Sequence, residues 1–156
     1  MDRRDFLKTV AVSGAAMTIQ RSEAMEILTQ AVNSTGKPDL VAVMGDEPEL
    51  MFQRAIAELG GMKQFVKSGQ KVVVKPNIGW DKVPELAGNT NPKLVAEIVK
   101  QCFAAGAKEV TVFDHTCDDW QKCYKNSGIE AAAKAAGAKV MPAHLESYYK
   151  PVNLPN

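Results

Sequence analysis

Lys71-Val72-Val73-Val74-Lys75-Pro76-Asn77-Ile78-Gly79 decides how this chain reads. Three β-branched residues between two lysines make a run too short for a helix and suited to a buried strand. Pro76 and Gly79 end it. Upstream, Leu40-Val41-Ala42-Val43-Met44 is a second short apolar run, closed by Gly45-Asp46, and is expected to be a buried strand. Between the two, Glu47-Pro48-Glu49 has the early proline and the acids of a helix first turn, and Gly60-Gly61 ends the helix. Downstream, residues 77–90 hold turn formers without a period and form a loop. Asn91 caps the next helix and Pro92 takes its first position. Leu94, Val95, Ile98, Val99, Cys102 and Phe103 make its apolar face. Strands are expected again at Glu109-Val110-Thr111-Val112-Phe113 and Lys139-Val140-Met141, with a short Ala-rich helix over 127–138.

Strand and helix thus alternate from residue 40 onward. The predicted fold class is α/β: a mostly parallel four-stranded sheet with helices on both faces, a Rossmann-like three-layer arrangement. The expected division is a signal at 1–24, a linker or helix at 25–39, an α/β domain at 40–146 and an irregular tail at 147–156.

The chain has 156 residues, room for one compact domain. Hydrophobic residues are 46% and charged residues 24%, which excludes wholesale disorder. A net charge of +1 and 6% aromatics give no nucleic-acid partner. No uncharged apolar run approaches the roughly 20 residues of a spanning helix, so no integral membrane span is expected. Three cysteines without a CxxC pair exclude a disulfide scaffold and a structural zinc site of known spacing.

The amino terminus, Arg3-Arg4-Asp5-Phe6-Leu7-Lys8, resembles the twin-arginine export signal. A short, weakly apolar Ala/Gly/Ser segment follows, and Ser22-Glu23-Ala24 offers small residues for cleavage after Ala24. The alternative is an amphipathic helix with an incidental Arg-Arg. Export implies a periplasmic or extracellular protein. Cleavage there would remove four basic and three acidic residues and leave a neutral chain. The route carries folded proteins, often with cofactors inserted, which points by association to redox or metal metabolism.

In an open α/β sheet, ligands bind beyond the carboxyl ends of the strands. Those ends carry Asp46, then Lys75 and Asn77, then Asp114 and His115, then His144. Lys75 can hold a carboxylate or phosphate as a point charge, with Asn77 adding an amide contact; the plainer reading is a lysine snorkelling along the sheet edge. Asp46, Lys75, Asn77 and Trp80 are the candidate ligand-binding residues, for a small anionic ligand. Asp114, His115 and Cys117 are candidate metal ligands, although their spacing matches no established motif. Cys117 and Cys123 have two further readings, a disulfide or unlinked thiols. Asp118 and Asp119 also read simply as a helix start. Cys102 reads as a small core hydrophobe. His144 reads as a structural or surface histidine. Trp80 and Trp120 read equally as pocket walls or hydrophobic plugs. No GxGxxG or P-loop follows a strand, so dinucleotide and Walker-type sites are disfavoured.

The segments Gly69-Gln70-Lys71-Val72-Val73-Val74-Lys75-Pro76-Asn77-Ile78-Gly79, Thr90-Asn91-Pro92 with Leu94-Val95, Ala105-Gly106-Ala107-Lys108-Glu109-Val110, Ser127-Gly128-Ile129 and Ala136-Gly137-Ala138 follow in order. Together they resemble the domain of unknown function 362 family, from about Leu40 to about His144. The resemblance implies an association with iron–sulfur proteins, hence a metal ion or an iron–sulfur cluster as cofactor and a redox protein as partner. Members of that kind carry CxxCxxC segments, which this chain lacks. The family domain is also longer, so the chain reads as an N-terminal half or truncated member with an apolar face or edge left uncovered. Two functions are expected from different classes: a binding or accessory protein, or a metal-dependent enzyme acting on an anionic small molecule. A truncated, inactive half-domain is the third alternative.

Overall fold

The computed structural model describes residues 38–154. The expected signal at 1–24 and nearly all of the 25–39 linker lie outside the described residues. Three parallel strands form one sheet in the order β1-β2-β3: β1 Lys71–Val74, β2 Glu109–Val112 and β3 Lys139–Val140. Lys71 pairs with Glu109 and Val74 with Val112; Val112 in turn pairs with Val140. Among the described residues, four α-helices accompany them: α1 Pro48–Glu58, α2 Pro92–Ala104, α3 Trp120–Asn126 and α4 Ile129–Ala135. Among the described residues, no helix is long and apolar enough to cross a membrane.

The helix ends follow their sequence signals. Asn91 accepts a bond from the Lys93 N–H at 2.9 Å, and Pro92 begins α2. Asp119 caps α3 through the Lys122 N–H at 3.0 Å, so the acids at 118–119 do open a helix. Gly128, with φ of 72°, separates it from α4. Gly106 makes the turn from α2 to β2 at φ 104°, and an added Cβ there would lie 3.1 Å from the Ser68 backbone. Its carbonyl accepts the Gly69 N–H, which joins the starts of β1 and β2.

The core lies between the sheet and the helices. Val110 and Val112 of β2 meet Val95, Val99 and Cys102 of α2, Cys123 and Tyr124 of α3, and Ile129 and Ala133 of α4. Each fully buried aliphatic side chain contributes about 1.5–3 kcal/mol. Cys102 is the small core hydrophobe expected, and burial raises the pKa of its thiol.

Two expectations are corrected. First, the sheet has three strands, not four. Among the described residues, 40–44 pair with no strand, and Leu40 and Met44 are 85% and 97% exposed. An apolar run becomes a strand only where a neighbour takes its backbone groups, and a run of five residues with only two β-branched members does not impose that by itself. Second, the described helices do not sandwich the sheet. α2 packs against both α1 and α4. In a sheet of unreversed order, crossovers of one hand put their helices on one face. Alternation of strand and helix does not reveal strand order, and a doubly wound sheet needs a reversal. The opposite face carries Val73, 61% exposed, and an ionic row in which Glu109 pairs with Lys71 at 4.0 Å and with Lys139. The Lys139 hydrogen bond holds the Glu109 carboxyl below its ordinary pKa.

Candidate functional site

The parallel strands deliver their exits to one edge. β1 leads into Lys75 and the 76–91 loop, β2 into Asp114 and His115, and β3 into Met141 and His144. Lys75 Nζ lies 2.5 Å from Asp114 Oδ1. Asp114 is 4% exposed, whereas the Lys75 side chain is 61% exposed. The buried carboxylate therefore anchors one side of an ammonium whose other side faces solvent.

Beside this pair, five consecutive backbone N–H groups each donate to a side-chain oxygen. Asn77 donates to Thr90 Oγ1 at 2.9 Å, Ile78 to Asp114 Oδ2 at 2.7 Å, and Gly79 to Asn77 Oδ1 at 2.9 Å. Trp80 donates to Asn89 Oδ1 and Asp81 to Asp118 Oδ2, both at 3.0 Å. Asn89 Nδ2 returns bonds to the carbonyls of Trp80 and Lys82. These amides are satisfied within the protein and do not form an open anion nest. The loop is a rigid platform that fixes where Lys75 leaves the sheet.

Gly79 is the tightest point of this platform. An added Cβ would sit 2.9 Å from Asn77 Oδ1. Its carbonyl accepts from the N–H groups of Cys117 and Asp118 at 2.8 and 3.1 Å, and Cys123 Sγ lies 3.6 Å away. Ile78 turns inward and is fully buried in the core.

Tyr124 ties the exits of β2 and β3 together. Its hydroxyl accepts from the Asp114 N–H at 2.8 Å and lies 2.9 Å from the carbonyl oxygens of Asp114 and Met141, to either of which it donates. Burial raises the pKa of the hydroxyl, so it stays protonated as this bonding requires. Next to it, Trp120 stacks on His144 with ring centres 4.6 Å apart, and Tyr148 meets His144 edge-on. Sequence reasoning missed Tyr124. The available signal was a tyrosine one position after Cys123 in a segment opening on an Asp cap.

The sequence-predicted residues divide accordingly. Lys75 and Asp114 come together. Asn77 stands beside them, with Oδ1 and Nδ2 both bonded inside its own loop. Trp80 is exposed on that loop. Asp46 does not lie at a strand end: it is exposed in the segment before α1, lining a surface concavity of about 710 Å³ with Met44, Leu50 and Arg54. His115 is exposed, its ring 6.2 Å from that of Tyr149. Cys117 is exposed just ahead of α3 and Cys123 is buried within it, and both are free thiols. Burial raises the Cys123 thiol. Among the described residues, no three His, Cys, Asp or Glu side chains are grouped so as to share a metal ion.

No curated protein and no solved structure matches the chain. The family described as Domain of unknown function (DUF362) matches residues 72–156, from β1 through every strand exit and loop described above. This match covers more than half of the 156 residues, and the chain belongs to the DUF362 family.

Proposed function

We propose that the chain is an exported binding protein, accessory to redox or metal metabolism, that receives a small anionic ligand at Lys75. The observation that carries this reading is the Lys75–Asp114 pair at the carboxyl edge of the sheet. A lysine whose position is fixed by a buried partner loses less freedom on binding than a free surface lysine. One N–H of its ammonium faces Asp114, and the others remain to donate to an incoming oxygen. The pair is neutral overall, so the fitting ligand is a single carboxylate or phosphate group. Trp80 offers an apolar wall on the same loop. Because the neighbouring amides are already bonded, Lys75 supplies most of the recognition.

Calorimetric titration with inorganic phosphate and with acetate tests this. Lys75→Met should weaken binding at least about tenfold, the loss of one charge-assisted hydrogen bond. Lys75→Arg should retain part of it. Equal binding by wild type and Lys75→Met, or no binding of either anion, overturns the reading.

Export rests on Arg3-Arg4-Asp5-Phe6-Leu7-Lys8. Replacing Arg3 and Arg4 together by lysine should hold the protein in the cytoplasm, as read by fractionation. Normal processing of that variant overturns the export.

A further inference from the structure

A cleft of about 590 Å³ lies between α2 and α4, a size that admits a small organic molecule. The two helices run the same way. A Cβ added at Gly128, ahead of α4, would meet Pro92 at the start of α2, and one added at Gly137, beyond α4, would meet Phe103 near the end of α2. Small side chains at Ala96, Ala132 and Ala136 leave the space between them open.

Two carboxylates border this cleft. Glu97 of α2 is only 8% exposed, yet among the described residues no lysine or arginine forms an ion pair with it. Gln53 Nε2 and Gln101 Nε2 both donate to its Oε1 at 2.9 Å, and among the described residues its Oε2 accepts no hydrogen bond. Glu49 of α1 stands at the same cleft. Its Oε1 pairs with Lys93 at 3.7 Å, and its Oε2 is buried without a hydrogen-bond partner. Lys93 and Lys100 are exposed along the rim. A buried carboxylate without a cation is costly, and two neutral amides on one oxygen offset only part of that cost.

We propose that this cleft binds the primary ammonium group of an aliphatic amine, with Glu97 as its counter-ion and Glu49 Oε2 as a second acceptor. An ammonium brings three N–H donors and no acceptor, the complement of a cleft with unfilled oxygens. The alkyl chain then lies along the alanines. The rim lysines repel a second cation, which leaves a monoamine as the fitting ligand. Charge decides against an apolar helix as occupant, because such a helix would cover the open oxygens without giving them donors. The cleft draws on α1, α2 and α4 rather than on the strand exits, so it does not rest on anion binding at Lys75.

Calorimetric titration of the full chain with butylammonium chloride tests this, with tetramethylammonium chloride as a cation that has no N–H. Butylammonium should bind saturably, and tetramethylammonium at least about tenfold more weakly. Glu97→Gln keeps an acceptor for Gln53 and Gln101 and removes the charge, so it should weaken butylammonium binding at least about tenfold. Ala132→Leu fills the cleft from a half-buried position and should weaken binding while Glu97 is intact. No saturable binding of butylammonium to the wild type overturns the proposal. So does equal binding of the two cations, or a folded variant of either kind that binds butylammonium as the wild type does. Phosphate and acetate are left out of this titration, so failure here and failure at Lys75 are separate results.

Discussion

An Asp114→Ala protein should unfold in urea at a clearly lower midpoint with an unchanged slope. The side chain is buried, and its Oδ2 is the acceptor for the Ile78 N–H at 2.7 Å. Truncation leaves that amide without a partner in a site with little access to water, at a cost of about 1–3 kcal/mol. The ion pair adds at most about 1 kcal/mol, because Lys75 is largely exposed and water screens it. Asp114→Asn separates the two contributions. Its carbonyl oxygen can still accept the Ile78 N–H, so it should recover most of the stability while losing the ion pair. If Asp114→Asn is as damaging as Asp114→Ala, the charge rather than the acceptor holds the loop. An unchanged slope matters because it keeps the comparison between states of equal exposed area.

The same residues show what was legible in the sequence. Lys75 and Asp114 are 39 positions apart, yet both follow β-branched runs, and parallel strands bring such exits together. Asn91-Pro92 and Asp119 were legible because caps are local chemistry. The five bonded amides at 77–81 were not. Four of the five acceptors, Thr90, Asn89, Asp114 and Asp118, come from other stretches of the chain, and no periodicity reports which oxygen meets which N–H. Asn77 accordingly reads as a ligand contact in the sequence and as a loop brace in the structure. Residues 40–44 and 71–74 look alike as runs, but among the described residues only the second pairs with a neighbour. Tyr124 was hidden for a related reason. Its value lies in joining two strand exits, a relation between β2 and β3 that exists only once they are adjacent.

The largest single loss should follow Ile78→Ala. Ile78 sits in the middle of the bonded loop, yet its side chain is fully buried among the core residues under the sheet. Removing three carbons there costs the transfer free energy plus the cavity left behind, about 2–5 kcal/mol. The neighbours limit collapse into that space, because the backbone on either side is pinned through Asn77, Gly79 and Asp114. A value in the upper part of the range is therefore expected, above that of Asp114→Ala. Ile78→Val, which removes one carbon, should cost about 0.5–1.5 kcal/mol. The site should respond as well. The inward side chain and the outward Lys75 are three residues apart on a loop whose amides at 77–81 are all engaged, so loosening Ile78 frees the exit of β1. Hydrogen exchange at 77–81 should then accelerate in Ile78→Ala more than exchange in α2, under conditions where both proteins remain folded. Uniform acceleration across both regions would mean that Ile78 supports only global stability and that the loop keeps its shape without it.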